Sequence, residues 1–308
     1  MTIPSRVHVV EMGPRDGLQN EAALVPTATK VELVERLAAT GLRSIETTSF
    51  VSPKAVPQLA DATDVMTGIT RSDDVTYSVL TPNERGYDAA IAAGATSVAV
   101  FTSASETFAQ RNVRASIAET IERFRPIVDR AERDGVHVRG YVSMAFGCAF
   151  EGPVEPAAVH RVVDQLADLG IVDVSIGDTI GVAVPSEIAP VMQPLLDHDA
   201  DLELALHLHD TRGTALANAW AGLQLGIGTF DASIAGLGGC PFAPGATGNL
   251  ATEDLVWMLH RQGIETGIDL ERLVEVARWI SHAIDRPIRG HVAGPRIWPW
   301  DAAPSSTS

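Results

Sequence analysis

The sequence predicts an α/β domain folded as a TIM-type (β/α)8 barrel with an added C-terminal helix, and three observations carry that expectation. From Val7 onward, short β-rich runs alternate with helical runs, and eight such pairs can be counted. The turn after the first run, Gly13-Pro14-Arg15-Asp16-Gly17, is not the Gly-x-Gly-x-x-Gly that opens a dinucleotide-binding open sheet. The polar residues least suited to a core all fall at the ends of strand runs, where a barrel builds its active site.

Each unit has its own signals. The first strand is predicted over residues 7–13, followed by a helix over 27–40 that stops at Gly41. Strand 44–50 precedes helix 58–68, and strand 75–81 precedes helix 84–93, closed by Gly94. Strand 97–102 leads through a polar loop into one long helix, 116–134, stopped by Gly135. Strand 136–145 is followed by helix 156–169, with Pro156 at its first turn and Gly170 past its end. Strands 173–178, 202–209 and 230–237 pair with helices 186–197, 215–225 and 252–262. An amphipathic helix over 270–284 is the addition, so residues 1–288 read as one catalytic domain and 289–308 as an irregular tail, fraying over its Pro/Ser-rich end.

Composition narrows the function. In 308 residues, 45% hydrophobic content and a mean hydropathy of +0.11 supply a large core, and 20% charged residues exclude a disordered chain. With 23 basic against 39 acidic residues the net charge is -16, which disfavours nucleic acid and anionic membrane surfaces as partners. No run is long and apolar enough to span a bilayer. Two cysteines, Cys148 and Cys240, make no disulfide framework, and the first ten residues lack a charged and apolar leader. The expected compartment is a reducing cytoplasm. Nothing in the sequence fixes the assembly state, and a homo-oligomer is compatible with it.

The chemistry centres on His207-Leu208-His209-Asp210, at the end of an apolar run. Alternation along a strand puts Leu202, Leu204, Leu206 and Leu208 on one face, and Glu203, Ala205, His207 and His209 on the other. The pair alone fits either hydrogen-bonded core histidines or a metal site. Asp16 after the first strand and Asn249 after the eighth add a carboxylate and an amide oxygen at the same mouth. That set of His207, His209, Asp16 and Asn249 is oxygen-rich and suits Mg²⁺ or Mn²⁺ better than zinc. Asn249 has an alternative role as a cap for the helix near Thr252.

Arg15, beside that set, adds a positive charge that asks for an anion, unless it makes only a surface ion pair. Glu46, in the second strand, is placed to hold the guanidinium by a bidentate contact and leave its other donors for an oxyanion such as an enolate. Asp178 ends the sixth strand. The run Ala235-Gly236-Leu237-Gly238-Gly239-Cys240-Pro241-Phe242 is too glycine-rich for regular structure and lacks the sequel of a phosphate loop, so it reads as a mobile lid carrying Cys240. Cys148, among Ala145, Phe146 and Phe150, reads as a buried, inert thiol.

Three stretches carry a family resemblance: 13–21 (GPRDGLQNE), 45–54 (IETTSFVSPK) and 233–242 (SIAGLGGCPF). With 177–181 (GDTIG) and 248–254 (GNLATED), they resemble the hydroxymethylglutaryl-CoA lyase family, and the likeness runs from about Val7 to Ile284. The resemblance implies a metal-dependent barrel that cleaves 3-hydroxy-3-methylglutaryl-CoA to acetyl-CoA and acetoacetate, in leucine catabolism and ketone-body formation. It implies metal ligation by Asp16, His207, His209 and Asn249. Catalytic roles are implied for Arg15, Asp16, Glu46, Asp178, His207, Cys240 and Glu253, and acyl-CoA contacts for Arg15, Gln19 and Arg212. Asp16 and His207 are both candidates to take the hydroxyl proton, and Cys240 to return one to the enolate.

The sequence departs from the family in three places. Arg212 stands where mammalian members have Tyr, Leu208 stands where a Cys occurs, and the tail with Trp298 and Trp300 has no cysteine. Rival readings are a lyase for a larger 3-hydroxy-3-alkylglutaryl-CoA, an enzyme condensing acetyl-CoA with a 2-oxo acid, and a non-catalytic acyl-CoA-binding barrel. The Cys240 stretch argues against the second rival, and the full polar set against the third. Lys54, Arg111, Arg114 and Arg212 are the basic residues near the mouth, with surface solvation as their alternative role.

Overall fold

Strands β1 (His8–Glu11), β2 (Ser44–Ser49), β3 (Thr76–Leu80), β4 (Ser97–Ser103) and β5 (His137–Ser143) run parallel, each hydrogen-bonded to the next. A short hairpin, β6 (Gly147–Cys148) with β7 (Gly152–Pro153), stands outside this sheet. After it, β8 (Asp173–Asp178), β9 (Glu203–Leu208) and β10 (Thr229–Ala232) continue the parallel order, and β10 pairs with β1 to close the barrel. The computed structural model describes residues 2–197, 201–239 and 248–294. The (β/α)8 class expected from the sequence is therefore the observed one.

The helices are α1 (Thr27–Ala38), α2 (Ala62–Gly68), α3 (Glu84–Ala92), α4 (Glu106–Val113), α5 (Ile117–Glu122), α6 (Arg125–Asp134), α7 (Pro156–Ala167), α8 (Pro185–Leu196), α9 (Ala215–Gln224), α10 (Thr252–Arg261) and α11 (Leu270–Ala283). Their apolar faces and the outward side chains of the strands make one continuous core, in which Leu33, Leu37, Ile45, Val98, Leu206, Phe230 and Leu255 are fully buried. A smaller cluster of Val10, Met12, Leu80, Ala99 and Tyr141 lies apart from that core, on the inward side of the strands. The added helix α11 packs on α1 and α10. Segment 289–294 is tied down: Asp254 accepts from the backbone N–H groups of His291 and Val292. The rest of the tail, with Trp298 and Trp300, lies outside the described residues.

Three expected elements differ. The single helix over 116–134 is broken into α5 and α6 by Pro126, whose ring displaces the carbonyl four residues back and removes an N–H. The polar loop before it contains α4, started by Ser105, whose hydroxyl accepts from the Phe108 N–H. The eighth strand ends at Ala232 rather than 237, because the chain turns into a 3-10 segment, Ile234–Gly236, with Ala235 at φ 58°. A further cavity of about 340 Å³ opens at the opposite end of the barrel, among His8, Ser44, Ser97, His137, Arg139 and Asp173, where the strands begin.

Candidate active site

The chain leaves β1 in a single π-helical turn, Gly13–Gly17, in which the Gly17 N–H reaches back five residues to the Met12 carbonyl. Such widened turns project side chains that an α-turn would stack along its wall, and they recur at functional sites. Here the turn aims Arg15 and Asp16 toward β9. His207 and His209 lie on the inward face of that strand and just past its end, while Leu204, Leu206 and Leu208 are buried against the helices, as alternation requires.

The Asp16 carboxylate and the two imidazoles meet. Oδ2 of Asp16 is 3.9 Å from His207 Nε2 and 4.0 Å from His209 Nε2, and the two Nε2 atoms are 3.2 Å apart. The three atoms lie within 4.8 Å of one another, close enough for one divalent cation to be held between them. The donor set, one carboxylate and two imidazoles that are buried or nearly so, fits the group. Asn249 belongs to the same cluster but not as a helix cap, since α10 begins after Ala251 without a side-chain cap. Its Nδ2 donates to Asp16 Oδ2 at 2.8 Å and to the Leu237 carbonyl at 3.0 Å, so ligation through its oxygen requires the amide to turn over. Gly238, at φ 122°, is what lets the chain pass this amide, since a Cβ there would collide with Asn249 Nδ2.

Electrostatics divide the two acids nearest Arg15. Burial opposes ionisation of Asp16, yet Arg15, the two histidines and the Asn249 donor outweigh it and hold the carboxyl down at about 2. For Glu46, burial wins over Arg15 and the pKa is raised. His209 is pushed down to about 4 by burial and by the neighbouring His207. It is therefore neutral and free to offer a lone pair at neutral pH.

Arg15 is not gripped by Glu46 in the expected bidentate fork. Its Nε contacts Glu46 Oε2 and its Nη1 donates to Asp16 Oδ1 at 2.7 Å, while the second Glu46 oxygen accepts from the Tyr141 hydroxyl at 3.2 Å. The Tyr141 ring lies 5.7 Å from the guanidinium carbon and meets His207 edge-on. The remaining guanidinium donors of Arg15 belong to a group that is only 7% exposed and fixed on two sides.

The other expected residues lie around this centre. Asp178 accepts from the Val182 and Ala183 N–H groups, so both its oxygens hold the loop after β8. Glu253, at the start of α10, accepts from the Ala235 N–H and thereby pins the 3-10 turn. Arg212 donates to the carbonyls of Ile180 and Gly181. Gln19 sits half-buried just beyond the π-turn, and Arg111 stacks on Phe150. Cys148 is buried and accepts from Ser105 at 3.0 Å, whereas Cys240 lies outside the described residues.

Among the buried polar residues not singled out from the sequence are Arg139, Tyr141, Ser175 and Asp231, on the inward faces of their strands. Their signal was available in strand alternation. Arg139 and Tyr141 occupy the face opposite Val138 and Val142, and Asp231 the face opposite Phe230. A polar side chain on the inward face of a barrel strand points at the barrel axis.

A closed barrel with a largely buried carboxylate and two imidazoles at its C-terminal mouth, next to a braced arginine, defines a class of metal-site (β/α)8 barrels equipped to hold an oxyanion. Within that class the chain belongs to the HMGL-like family, whose model matches residues 6–280. It is 52% identical over 291 residues to the cytoplasmic 3-hydroxy-3-methylglutaryl-CoA lyase of Danio rerio, a match covering 94% of this chain and 87% of the relative. The hydroxymethylglutaryl-CoA lyase structure from Pseudomonas aeruginosa superposes with a TM-score of 0.92 at 45% identity, covering 95% of this chain and 98% of that one. An Acinetobacter baumannii HMG-CoA lyase, in complex with coenzyme A and 3-methylmalate, superposes with a TM-score of 0.91 at 39% identity, over 95% of this chain and 96% of that one.

Proposed function

We propose that the chain cleaves 3-hydroxy-3-methylglutaryl-CoA to acetyl-CoA and acetoacetate, with Mg²⁺ or Mn²⁺ held by Asp16, His207, His209 and the Asn249 amide oxygen. The observation that carries this reading is the Asp16–His207–His209 cluster beside Arg15, in a chain that is 52% identical to a lyase of that name across 94% of its length.

A cation bound there would make the tertiary hydroxyl of the substrate more acidic. The hydroxyl proton passes to Asp16, one of the two candidates, because His207 as a ligand through Nε2 with Nδ1 turned to Asp231 keeps no lone pair for it. As the bond between C2 and C3 opens, its electron pair moves onto the thioester as an enolate, and C3 becomes the ketone of acetoacetate. Arg15, preset by Glu46 and Asp16, faces the negative charge that develops on the enolate oxygen. Return of one proton to the enolate carbon completes acetyl-CoA, and Cys240 is the assigned donor. Gln19 and Arg212 receive the acyl-CoA, Asp178 holds the loop beneath Arg212, and Glu253 fixes the turn from which the Gly-rich run departs.

The binding of coenzyme A and a hydroxy-dicarboxylate by the A. baumannii relative supports an acyl-CoA partner of this kind. Among the described residues no helix is long and apolar enough to cross a membrane. Relatives of this chain include a cytoplasmic lyase, from Danio rerio, and mitochondrial ones, such as that of Rattus norvegicus, and the cytoplasm is the compartment proposed for it.

The test is a product assay on chelator-treated protein with hydroxymethylglutaryl-CoA. Acetoacetate is expected to appear only when Mg²⁺ or Mn²⁺ is restored. Reaction of acetyl-CoA with a 2-oxo acid, or cleavage of a longer alkyl homologue alone, would overturn the substrate assignment.

A further inference from the structure

On the side of His207 away from Asp16, the barrel interior holds a row of polar side chains that the cleavage chemistry leaves unused. Asp231, on β10 and 1% exposed, sits at its centre. Its Oδ2 lies 3.2 Å from His207 Nδ1 and accepts from the Ser175 hydroxyl at 2.7 Å. Its Oδ1 lies 2.9 Å from Arg139 Nη2. Arg139 in turn places Nε 3.3 Å from Asp173 Oδ1, and Asp173 Oδ2 pairs with His137 at 3.0 Å beside the lower cavity. Arg139 meets both acids by charge rather than by aligned hydrogen bonds, since its Nε and Nη2 are buried without one.

The row has a directional consequence. An ionised carboxylate has no proton to offer, so the contact between Asp231 and His207 is attractive only when Nδ1 carries the proton. With Nδ1 protonated, the other ring nitrogen, Nε2, is the one left to serve as ligand, and Nε2 is the atom that faces Asp16 and His209. We propose that Asp231 is a positioning residue that fixes the tautomer and ring orientation of His207, with Arg139 and Ser175 holding its carboxylate in place. This rests on the metal-site reading above. It adds a part of the site contributed by β5, β8 and β10, strands that carry no ligand themselves.

Asp231→Asn tests it sharply. Arg139 presents only donors, so the new amide oxygen turns toward Arg139 and the amide NH₂ faces His207. The imidazole must then accept at Nδ1 and carry its proton on Nε2, the wrong form for ligation. Mn²⁺ titration of the substrate-free protein by calorimetry should show affinity lowered about 10- to 100-fold. The ¹⁵N spectrum of the metal-free protein should show His207 protonated at Nδ1 in the parent and at Nε2 in the variant, a change that general loosening of the fold does not produce. Ser175→Ala, which leaves the carboxylate and Arg139 in place, should weaken Mn²⁺ binding less. If Asp231→Asn does not fold because Arg139 is left as a buried, unpaired cation, the double variant Asp231→Leu with Arg139→Met removes the acceptor and the cation together, and its Mn²⁺ affinity should fall by the same factor. Parent-like Mn²⁺ affinity in Asp231→Asn, with binding lost in His209→Ala, would overturn the role of Asp231 while leaving the metal site standing. An unprotonated Nδ1 in the parent would overturn it as well. Parent-like binding in His209→Ala would remove the metal site and this role with it.

Discussion

Arg15 is braced by two acids, Glu46 through Nε and Asp16 through Nη1, and this divides its role from that of the cluster. A donor aimed at charge that forms only as the carbon-carbon bond breaks acts mainly in the transition state. Arg15→Met should lower kcat about 100- to 1000-fold, change KM modestly and leave bound metal intact, since the cation is assigned to other residues. Arg15→Lys should rescue poorly, because one ammonium cannot span Glu46, Asp16 and an oxyanion. Steady-state kinetics with metal analysis checks both; a change confined to KM would make Arg15 a binding residue only. Arg15, Asp16 and the histidines were legible in the sequence because each is a costly residue type at the end of a β run. Asp231 and Arg139 left only the weaker signal of alternation, because each lies inside a run and its pairing with the other exists only in three dimensions. The orientation of Asn249 was equally out of reach, since it depends on the Leu237 carbonyl and on Asp16, which is 233 positions away.

At the scale of the element, β9 separates two jobs by alternation. Leu208, 1% exposed, belongs to the core between barrel and helices, whereas His207 and His209 belong to the mouth. Leu208→Ala should cost about 2–5 kcal/mol of stability while the folded fraction still binds Mn²⁺. His209→Ala should do the reverse, and urea unfolding with metal titration reads both. Equal metal loss in the two variants would mean that the strand does not partition in this way. The period of two made this arrangement readable before the fold was known. Elsewhere local chemistry overrode the pattern: Pro126 cut a helix that periodicity runs straight through, and Ser105 started one in a stretch of polar residues. The eighth strand stopped at Ala232, because the Ser233 N–H pairs with Leu250 and the chain then enters the positive φ of Ala235 and Gly236.

Across the whole molecule, closure of the barrel gathers acids from distant parts of the chain, and their burial sets how stability responds to pH. Burial raises Glu253 to about 8, helped by Asp254, and Glu11 to about 7 against the hydrogen bonds of Thr252, Ile234 and Gly13. Both groups bind protons more tightly folded than unfolded, so their contribution is fully present below about pH 4.5 and is lost as pH rises through 7 and 8. Asp16, held at about 2, has the opposite sign: its contribution is present above about 3.8 and is lost as pH falls through 2. The Tm of the metal-free protein should therefore fall between pH 5 and 9, and Glu253→Gln should flatten that fall; a parallel profile in the variant would contradict the assignment. The barrel class was legible from eight regular units, whereas these couplings depend on which strand ends meet. The central claim is metal-dependent cleavage, and the most direct measurement is acetoacetate release from hydroxymethylglutaryl-CoA by chelated, Mn²⁺-reloaded and His209→Ala protein side by side. Release is expected from the reloaded protein and almost none from the other two; undiminished release after chelation would rule out metal dependence.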